Sequence, residues 1–216
     1  MQKEFYTKLQ DFTQNLIDDF DKITDTRKKQ LRVLADHLSK KRIANEKINL
    51  IFICTHNSRR SHLSHILAQT AINYYGLENL GIGTFSGGTE ATAFNIRAIN
   101  ALRKVGFEIE VSTNEMPSSN PKYIVKMSES FDKITCFSKK YSNAPNPQDK
   151  FCAVMTCSHA DKNCPIVIGA QVRISLPYDD PKDFDDTPQE TQKYIERTNE
   201  IGREFFWVFS KINPLT

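Results

Sequence analysis

The sequence predicts an α/β fold in which helices cover a parallel β-sheet. Short apolar strand patterns alternate with helix patterns from residue 48 onward, and this alternation is typical of parallel strands joined by right-handed crossovers. The chain has 216 residues, of which 39% are hydrophobic and 25% charged, a composition typical of a soluble globular protein. No apolar run reaches the roughly 18 residues of a membrane span, and residues 1–10 lack the apolar core of a signal peptide. We therefore expect a cytoplasmic protein with no membrane partner.

The first 46 residues are predicted to form a helical extension that precedes a domain over residues 47–216. Apolar side chains recur at spacings of three and four, so they would lie together on one side of a helix. These residues are Phe5, Leu9, Phe12, Leu16, Phe20 and Ile23. A second helix follows, with Thr24 or Asp25 as its N-cap. The pattern leaves open whether these helices pack on the core of the same chain or, in a homodimer, on a partner subunit.

The surplus positive charge lies in this extension. Residues 1–47 hold 11 Lys and Arg against 8 Asp and Glu, whereas the rest of the chain is balanced, so the net charge of +3 arises here. Because acidic side chains are interleaved with the basic ones, the pattern favours a solvated helix surface over a nucleic acid site. We expect no nucleic acid partner.

Four buried strands and the helices between them account for the predicted sheet. The strands are expected at residues 48–54, 81–86, 151–156 and 172–177. The first is apolar except for Asn49, as is typical of a strand buried on both faces of a parallel sheet. A helix pattern follows it directly, and another after residue 95 stops at Gly106, a residue type suited to end a helix. In such a sheet, binding sites gather at the carboxyl ends of the strands.

Two further elements are expected in the second half of the chain. Residues 123–127 and 133–137, joined by polar residues, are predicted to form an inserted β-hairpin. The last helix is expected to begin at Thr187-Pro188-Gln189-Glu190, which places Thr at the N-cap, Pro at the first helical position and Glu three residues after the cap.

The end of the first strand carries the motif with the clearest chemistry. Cys54 is followed by Thr55, His56, Asn57, Ser58 and Arg59, and then by Arg60 and Ser61 at the start of a predicted helix. A loop at a helix N-terminus directs several backbone N–H groups at one point, where the helix dipole favours an anion. Arg60 adds a planar guanidinium that can bind two oxyanion oxygens together, and the same field stabilises the thiolate form of Cys54. We therefore predict that residues 55–61 bind an oxyanion beside a nucleophilic Cys54.

The spacing alone is also consistent with a buried cysteine at a strand end and an unrelated surface arginine. The strand before Cys54, the helix after it and Ser61 beside Arg60 favour the oxyanion site.

Together with three other segments, this loop resembles the low-molecular-weight protein tyrosine phosphatase superfamily, and specifically its thioredoxin-coupled arsenate reductase branch. The other segments are Ser86-Gly87-Gly88-Thr89-Glu90, Asp180-Pro181 after the last strand, and Cys157-x6-Cys164, and the similarity covers roughly residues 47–212. It implies a three-layer αβα fold with a four-stranded sheet in the order 2-1-3-4. It also implies that Cys54 is the nucleophile, that Arg60 binds the oxyanion and that Asp180 is the general acid. Asn57 and Ser61 would orient the loop and the thiolate.

The second cysteine pair distinguishes the reductase branch from the phosphatases, which need only the loop cysteine and the acid. By the resemblance, Cys54 attacks arsenate, Cys157 attacks Cys54 and releases arsenite, and Cys164 then attacks Cys157. The resulting Cys157–Cys164 disulfide would be reduced by thioredoxin. The polar residues between these two cysteines suit the mobile loop that such a relay needs.

Two other interpretations of these cysteines stay open. Cys157 and Cys164 are inert in the first, and in the second they bind zinc together with Cys152 and His159, although the C-x2-C spacing typical of zinc sites is absent. Cys136 and Cys152 are predicted to be core residues.

Departures from the family pattern concern the loop and the helix after it. His56 stands where the family usually has glycine, and Arg59 adds a second positive charge beside the anion. His65 stands where some reductases have a glutamate near a potassium ion, so this ion is not carried over, and we expect no cofactor and no metal. The acidic cluster over residues 179–186 lacks EF-hand spacing.

Three functional hypotheses follow. The first is an arsenate reductase coupled to thioredoxin. The second is a phosphatase that hydrolyses phosphotyrosine esters through Cys54 and Asp180, indifferent to Cys157 and Cys164. The third is a non-enzymatic module that senses oxyanions or redox state and signals through the N-terminal helices.

Overall fold

The computed structural model describes residues 4–113, 118–164 and 166–212. Its strands are β1 (Ile48–Cys54), β2 (Ile82–Gly88), β3 (Glu108–Val111), β4 (Tyr123–Lys126), β5 (Ile134–Cys136), β6 (Phe151–Met155) and β7 (Ala170–Ser175). Four of them form a parallel sheet in the order β2-β1-β6-β7. Counted over the sheet strands alone, this is the order 2-1-3-4, so the predicted α/β fold is confirmed.

Helices cover both faces of this sheet unequally. They are α1 (Thr7–Asp18), α2 (Asp25–Ile43), α3 (Arg60–Tyr74), α4 (Ile96–Lys104), α5 (Ser158–Asn163) and α6 (Glu190–Phe209). One face, with Leu50 and Phe52 of β1, belongs to the large apolar core shared with α1, α2, α3, α4 and α6. The other face, with Ile51 and Ile53, is covered by the short α5 and by loops. No helix of the described ranges is long and apolar enough to cross a membrane.

The N-terminal helices pack on α6. Leu9 and Leu16 of α1 are buried in the main core, and Gly202 of α6 lies so close to Leu16 that a Cβ at this glycine would come within 2.8 Å of the leucine side chain. Arg27 of α2 forms an ion pair with the buried Glu204 of α6 at 2.8 Å. The two helices therefore contribute directly to the core of this chain.

Strand β3 was not predicted. The hairpin of β4 and β5 is present, and β3 pairs with β4 to give a three-stranded antiparallel sheet. Only Ile109 of the four residues in β3 is buried, so the segment has too few apolar residues to be recognised as a strand.

Two helix predictions were wrong. The last helix begins at Glu190, not just after Thr187, because a 3₁₀ helix (Pro181–Phe184) and a turn extend the preceding loop. Thr187 accepts a hydrogen bond from the Gln189 N–H within this turn. The segment between Cys157 and Cys164, predicted to be a loop, forms α5.

Candidate active site

The loop from Cys54 to Arg60 connects the carboxyl end of β1 to the first turn of α3 and rests on residues 88–90. The Thr89 N–H donates to the Cys54 carbonyl at 3.1 Å, and the Glu90 N–H donates to the Thr55 carbonyl at 2.8 Å. A Cβ at Gly88 would lie 2.7 Å from the Asn57 nitrogen and 2.2 Å from the Glu90 carbonyl oxygen. Only glycine leaves room here for the loop to approach the strand.

A chain of buried hydrogen bonds ends at the Cys54 sulfur. The Asn57 amide Nδ2 donates to the Ser61 hydroxyl at 2.8 Å, and this hydroxyl lies 3.1 Å from Cys54 Sγ. Because Ser61 Oγ already accepts from Asn57, its own hydrogen is free to point at the sulfur. Both Asn57 and Ser61 are fully buried, so no water competes for these bonds.

The loop backbone takes its left-handed turn at Asn57, with φ of 45°. His56, which stands where the family usually has glycine, does not adopt a positive φ. Its ring is exposed and lies 3.5 Å from the Glu90 carboxylate. The unusual residue at position 56 is therefore accommodated without backbone strain.

Two residues that sequence reasoning missed hold the loop from the side of the inserted strands. Ser138 Oγ donates to the His56 carbonyl at 2.9 Å, and the Lys139 backbone N–H donates to Asn57 Oδ1 at 2.9 Å. Both follow the predicted hairpin, but nothing in the sequence signals a contact across some 82 residues. The insertion thus fixes the side chain that orients Ser61.

Arg60 and Asp180 meet at the mouth of the loop. The Arg60 guanidinium forms an ion pair with the Asp180 carboxylate and donates to the Tyr178 carbonyl at 2.9 Å. Asp180 caps the 3₁₀ helix through a hydrogen bond from the Lys182 N–H at 3.2 Å. The two residues line a small pocket of about 210 Å³, together with Cys54, Thr55, His56, Ser58 and Arg59.

Arg59 contributes less positive charge to this pocket than the sequence suggests. Its guanidinium donates to the Tyr194 hydroxyl at 2.8 Å and to the Asp185 carboxylate at 3.2 Å. The carboxylate balances the arginine, which leaves Arg60 as the residue whose guanidinium lies between the loop and Asp180.

The Cys157 sulfur lies next to the same loop. Thr55 Oγ1 is 3.6 Å from Cys157 Sγ and 3.2 Å from the His159 Nδ1. Cys157 is fully buried in one apolar cluster with Cys54, and its sulfur accepts the Ala160 N–H at 3.3 Å as the N-cap of α5. Cys164 stands at the other end of α5 and is partly exposed.

The remaining cysteines belong to the core. Burial raises the pKa of Cys136 and of Cys152 to about 12, which keeps both thiols protonated at neutral pH. Cys152 lies in the main core, whereas Cys157 lies in the cluster on the opposite face of the sheet. The two sulfurs therefore point away from each other, which removes the geometry required for the zinc interpretation.

Curated proteins similar in sequence to this chain include several arsenate reductases. Arsenate reductase 2 of Staphylococcus epidermidis is 30% identical over 138 residues, which cover 63% of this chain and 80% of that protein. The chain belongs to the arsenate reductase family. Arsenate reductase of Bacillus cereus is 28% identical over 163 residues, which cover 72% of this chain and 97% of that protein. Both relatives place the chain among enzymes.

Solved structures give a weaker likeness. A low-molecular-weight phosphotyrosine phosphatase from Vibrio cholerae O395 aligns with a TM-score of 0.45 and 13% identity, over 76% of this chain and 94% of that one. The low-molecular-weight protein tyrosine phosphatase from T. tengcongensis aligns with a TM-score of 0.45 and 12% identity, over 77% and 97%. A scan against models of known families finds no match. Membership of the family therefore rests on the curated relatives.

Proposed function

We propose that this chain reduces arsenate to arsenite, with Cys54 as the nucleophile, Cys157 and Cys164 as the further thiols, and thioredoxin as the reductant. One observation carries the proposal: Cys157 is buried in the same cluster as Cys54, with Thr55 in contact with its sulfur. A phosphatase has no use for a second thiol at this position. The names of the curated relatives support the same substrate.

Each step of the proposed reaction is assigned to one residue. The Cys54 thiolate attacks arsenic(V), and a hydroxide leaves as water after Asp180 supplies a proton. The Cys157 thiolate then attacks Cys54 Sγ, and the electron pair of the sulfur–arsenic bond departs with arsenic, which leaves as arsenite. Cys164 finally attacks Cys157, so that two thiols become one disulfide and Cys54 is restored.

The oxyanion would be held by the loop N–H groups of residues 55–61 and by Arg60. The Arg60 Nε is buried and has no acceptor among the residues that the structure describes, and an oxyanion oxygen supplies one. Such charge-assisted bonds between guanidinium and oxyanion are among the strongest in proteins. The positive end of α3 adds to the same field.

The last step requires α5 to unwind. Cys157 and Cys164 flank this six-residue helix, and the helical rise from one cysteine to the other separates their Cα atoms by about 10 Å. A disulfide needs a separation of roughly 5.5 Å. We therefore propose that α5 is the helical, reduced state of a segment that opens during turnover.

An exposed apolar pair supports docking of a reductant protein beside Cys164. Ile166 and Ile168 are 77% and 78% exposed, and the Cys164 thiol donates to the Ile166 carbonyl.

A homodimer through α1 and α2 stays a prediction. The solvent-exposed side of α2, which could contact a second copy of the chain, carries the exposed Val33 and Ile43.

The alternative function is hydrolysis of phosphotyrosine through a Cys54 phosphocysteine, and Asp180 at the pocket mouth favours it. The pocket itself argues against an aromatic ester, because none of its described lining residues is a phenylalanine, tyrosine or tryptophan that could stack on a phenyl ring. A small inorganic oxyanion needs no such wall.

Single-turnover arsenate reduction without added reductant tests the proposal. We expect Cys157→Ser to release no arsenite and to retain arsenic on Cys54. Cys164→Ser should release arsenite once and accumulate a Cys54–Cys157 disulfide, which peptide mass spectrometry identifies. Cys136→Ala, which removes a core thiol, is the matched control and should behave like wild type.

Arsenite release and disulfide formation by both variants at wild-type levels would contradict the relay. Fast hydrolysis of aryl phosphates that depends on Cys54 and Asp180, and not on Cys157, would establish the phosphatase instead.

A further inference from the structure

A large open cavity lies away from the Cys54 loop, between α3, β2 and the inserted strands. Its volume is about 1020 Å³ when the adjoining open solvent is included. Part of its wall is apolar, and this part is formed by Ile82, Phe85, Phe131, Ile134 and Pro145. No residue lines both this cavity and the Cys54 pocket.

Lys139 brings a charge into this cavity. The residue is 5% exposed, and its backbone is fixed on both sides, since its N–H donates to Asn57 and its carbonyl accepts from Gly88. The ammonium lies 4.7 Å from the ring of Phe137. No carboxylate among the described residues raises the pKa of Lys139, which burial lowers from its usual value.

The buried titratable groups next to Lys139 are neutral. Burial lowers the pKa of His65 to about 3, and it lowers the pKa of His62 well below the usual value; the Lys139 ammonium acts in the same direction on both. Burial raises the pKa of the Cys136 thiol to about 12. Lys139 is therefore the charged member of a neutral buried group, and burying an unpaired charge is costly unless a partner of opposite sign is supplied.

We propose that this cavity binds a small organic monoanion, whose carboxylate pairs with Lys139 and whose apolar body lies against the phenylalanine and isoleucine walls. The rim limits the charge of the ligand. Glu78, Asp132 and Lys133, all exposed, line the cavity, and their formal charges sum to −1. This rim disfavours a ligand with more than one negative charge. The side chains proposed to bind this ligand are distinct from those that line the Cys54 pocket.

Isothermal titration calorimetry with benzoate as the probe tests the site. We expect benzoate to bind the wild-type protein with a Kd of about 1 mM or below, and Lys139→Met to weaken binding roughly tenfold or more, as expected for loss of a charged hydrogen bond. Lys139→Arg, which keeps the charge, should bind within a few-fold of wild type. Lys140→Met, the exposed neighbour, is the matched control and should leave binding unchanged.

Three further ligands test the contributions of the charge, the apolar body and the location of the site. Neutral benzamide and acetate, which lack the charge and the apolar body respectively, should each bind at least several-fold more weakly than benzoate. Saturating arsenate should not displace benzoate. Absence of benzoate binding to wild type, equal binding by Lys139→Met, or competition by arsenate would overturn the proposal, whatever the outcome of the arsenate reductase assays.

Discussion

Replacing Ser61 with alanine removes one hydroxyl from the chain of hydrogen bonds that ends at the Cys54 sulfur. The hydroxyl lies 3.1 Å from Cys54 Sγ and 2.8 Å from the Asn57 amide nitrogen, and it is fully buried. A hydrogen bond to a charged group is worth roughly 1.5–3 kcal/mol, which corresponds to a loss of roughly 10- to 150-fold in rate. The Asn57 amide also loses its acceptor, so we expect the free energy of unfolding to fall by about 1–3 kcal/mol.

Ser64 provides the matched control, because it is equally buried on the same helix and its hydroxyl has no partner among the described residues. Ser64→Ala should keep both the rate and the stability. The rate is that of single-turnover arsenite release, measured by quenched flow, which includes the attack of Cys54 on arsenic and the attack of Cys157 on Cys54. The stability is measured by urea unfolding. A Ser61→Ala rate within about threefold of wild type, or an equal loss in Ser64→Ala, would refute the proposed role of the hydroxyl.

Three further predictions concern other parts of the chain. Replacing both Ile166 and Ile168 by serine should raise the KM for thioredoxin without changing turnover driven by a small dithiol. Serine at the exposed Ile43 should change neither value. Equal KM values for the double variant and wild type would exclude Ile166 and Ile168 as the thioredoxin docking surface. Gly88→Ala should reduce single-turnover activity at least tenfold, because its Cβ would lie 2.7 Å from loop backbone atoms. Wild-type kinetics would show that the loop can shift to make room for the Cβ without loss of function. Burial and a neighbouring ammonium lower the pKa of His65 from 6.5 to about 3, so between these values the unfolded chain binds the extra proton and stability falls as pH falls, by about 1.4 kcal/mol per pH unit. His65→Gln should remove the contribution of His65 to this slope in urea unfolding at several pH values, while the buried His62 keeps its own contribution. An unchanged slope would contradict the assignment.

The sequence predicted those parts of the molecule that local patterns determine. The apolar run before Cys54 and the helix pattern after it define a strand–loop–helix unit, and this unit positions Arg60 and Ser61 in the structure. Periodicity likewise predicted the four sheet strands and the inserted hairpin, because buried segments carry enough apolar residues to be recognised.

Features that depend on distant contacts were beyond this reasoning. Strand β3 has one buried residue and forms only because β4 offers it a partner. Helix α5 is polar and is capped by a cysteine, a residue type seldom expected at an N-cap. The contacts of Ser138 and Lys139 with the loop link segments that are remote along the chain, and no periodic pattern encodes such a pairing.

The cap of α5 has a consequence for an enzyme that waits for its substrate. The sulfur atom that accepts the Ala160 N–H is the same atom that attacks Cys54 in the proposed relay. In the structure this sulfur is shielded from solvent, and Cys164 stands at the other end of the helix. The two thiols are therefore too far apart to form a disulfide while α5 is helical, which would protect the proposed relay from oxidation in the absence of arsenate. In the proposed relay, formation of the Cys54–Cys157 disulfide would engage the capping sulfur and so release the helix for the last step.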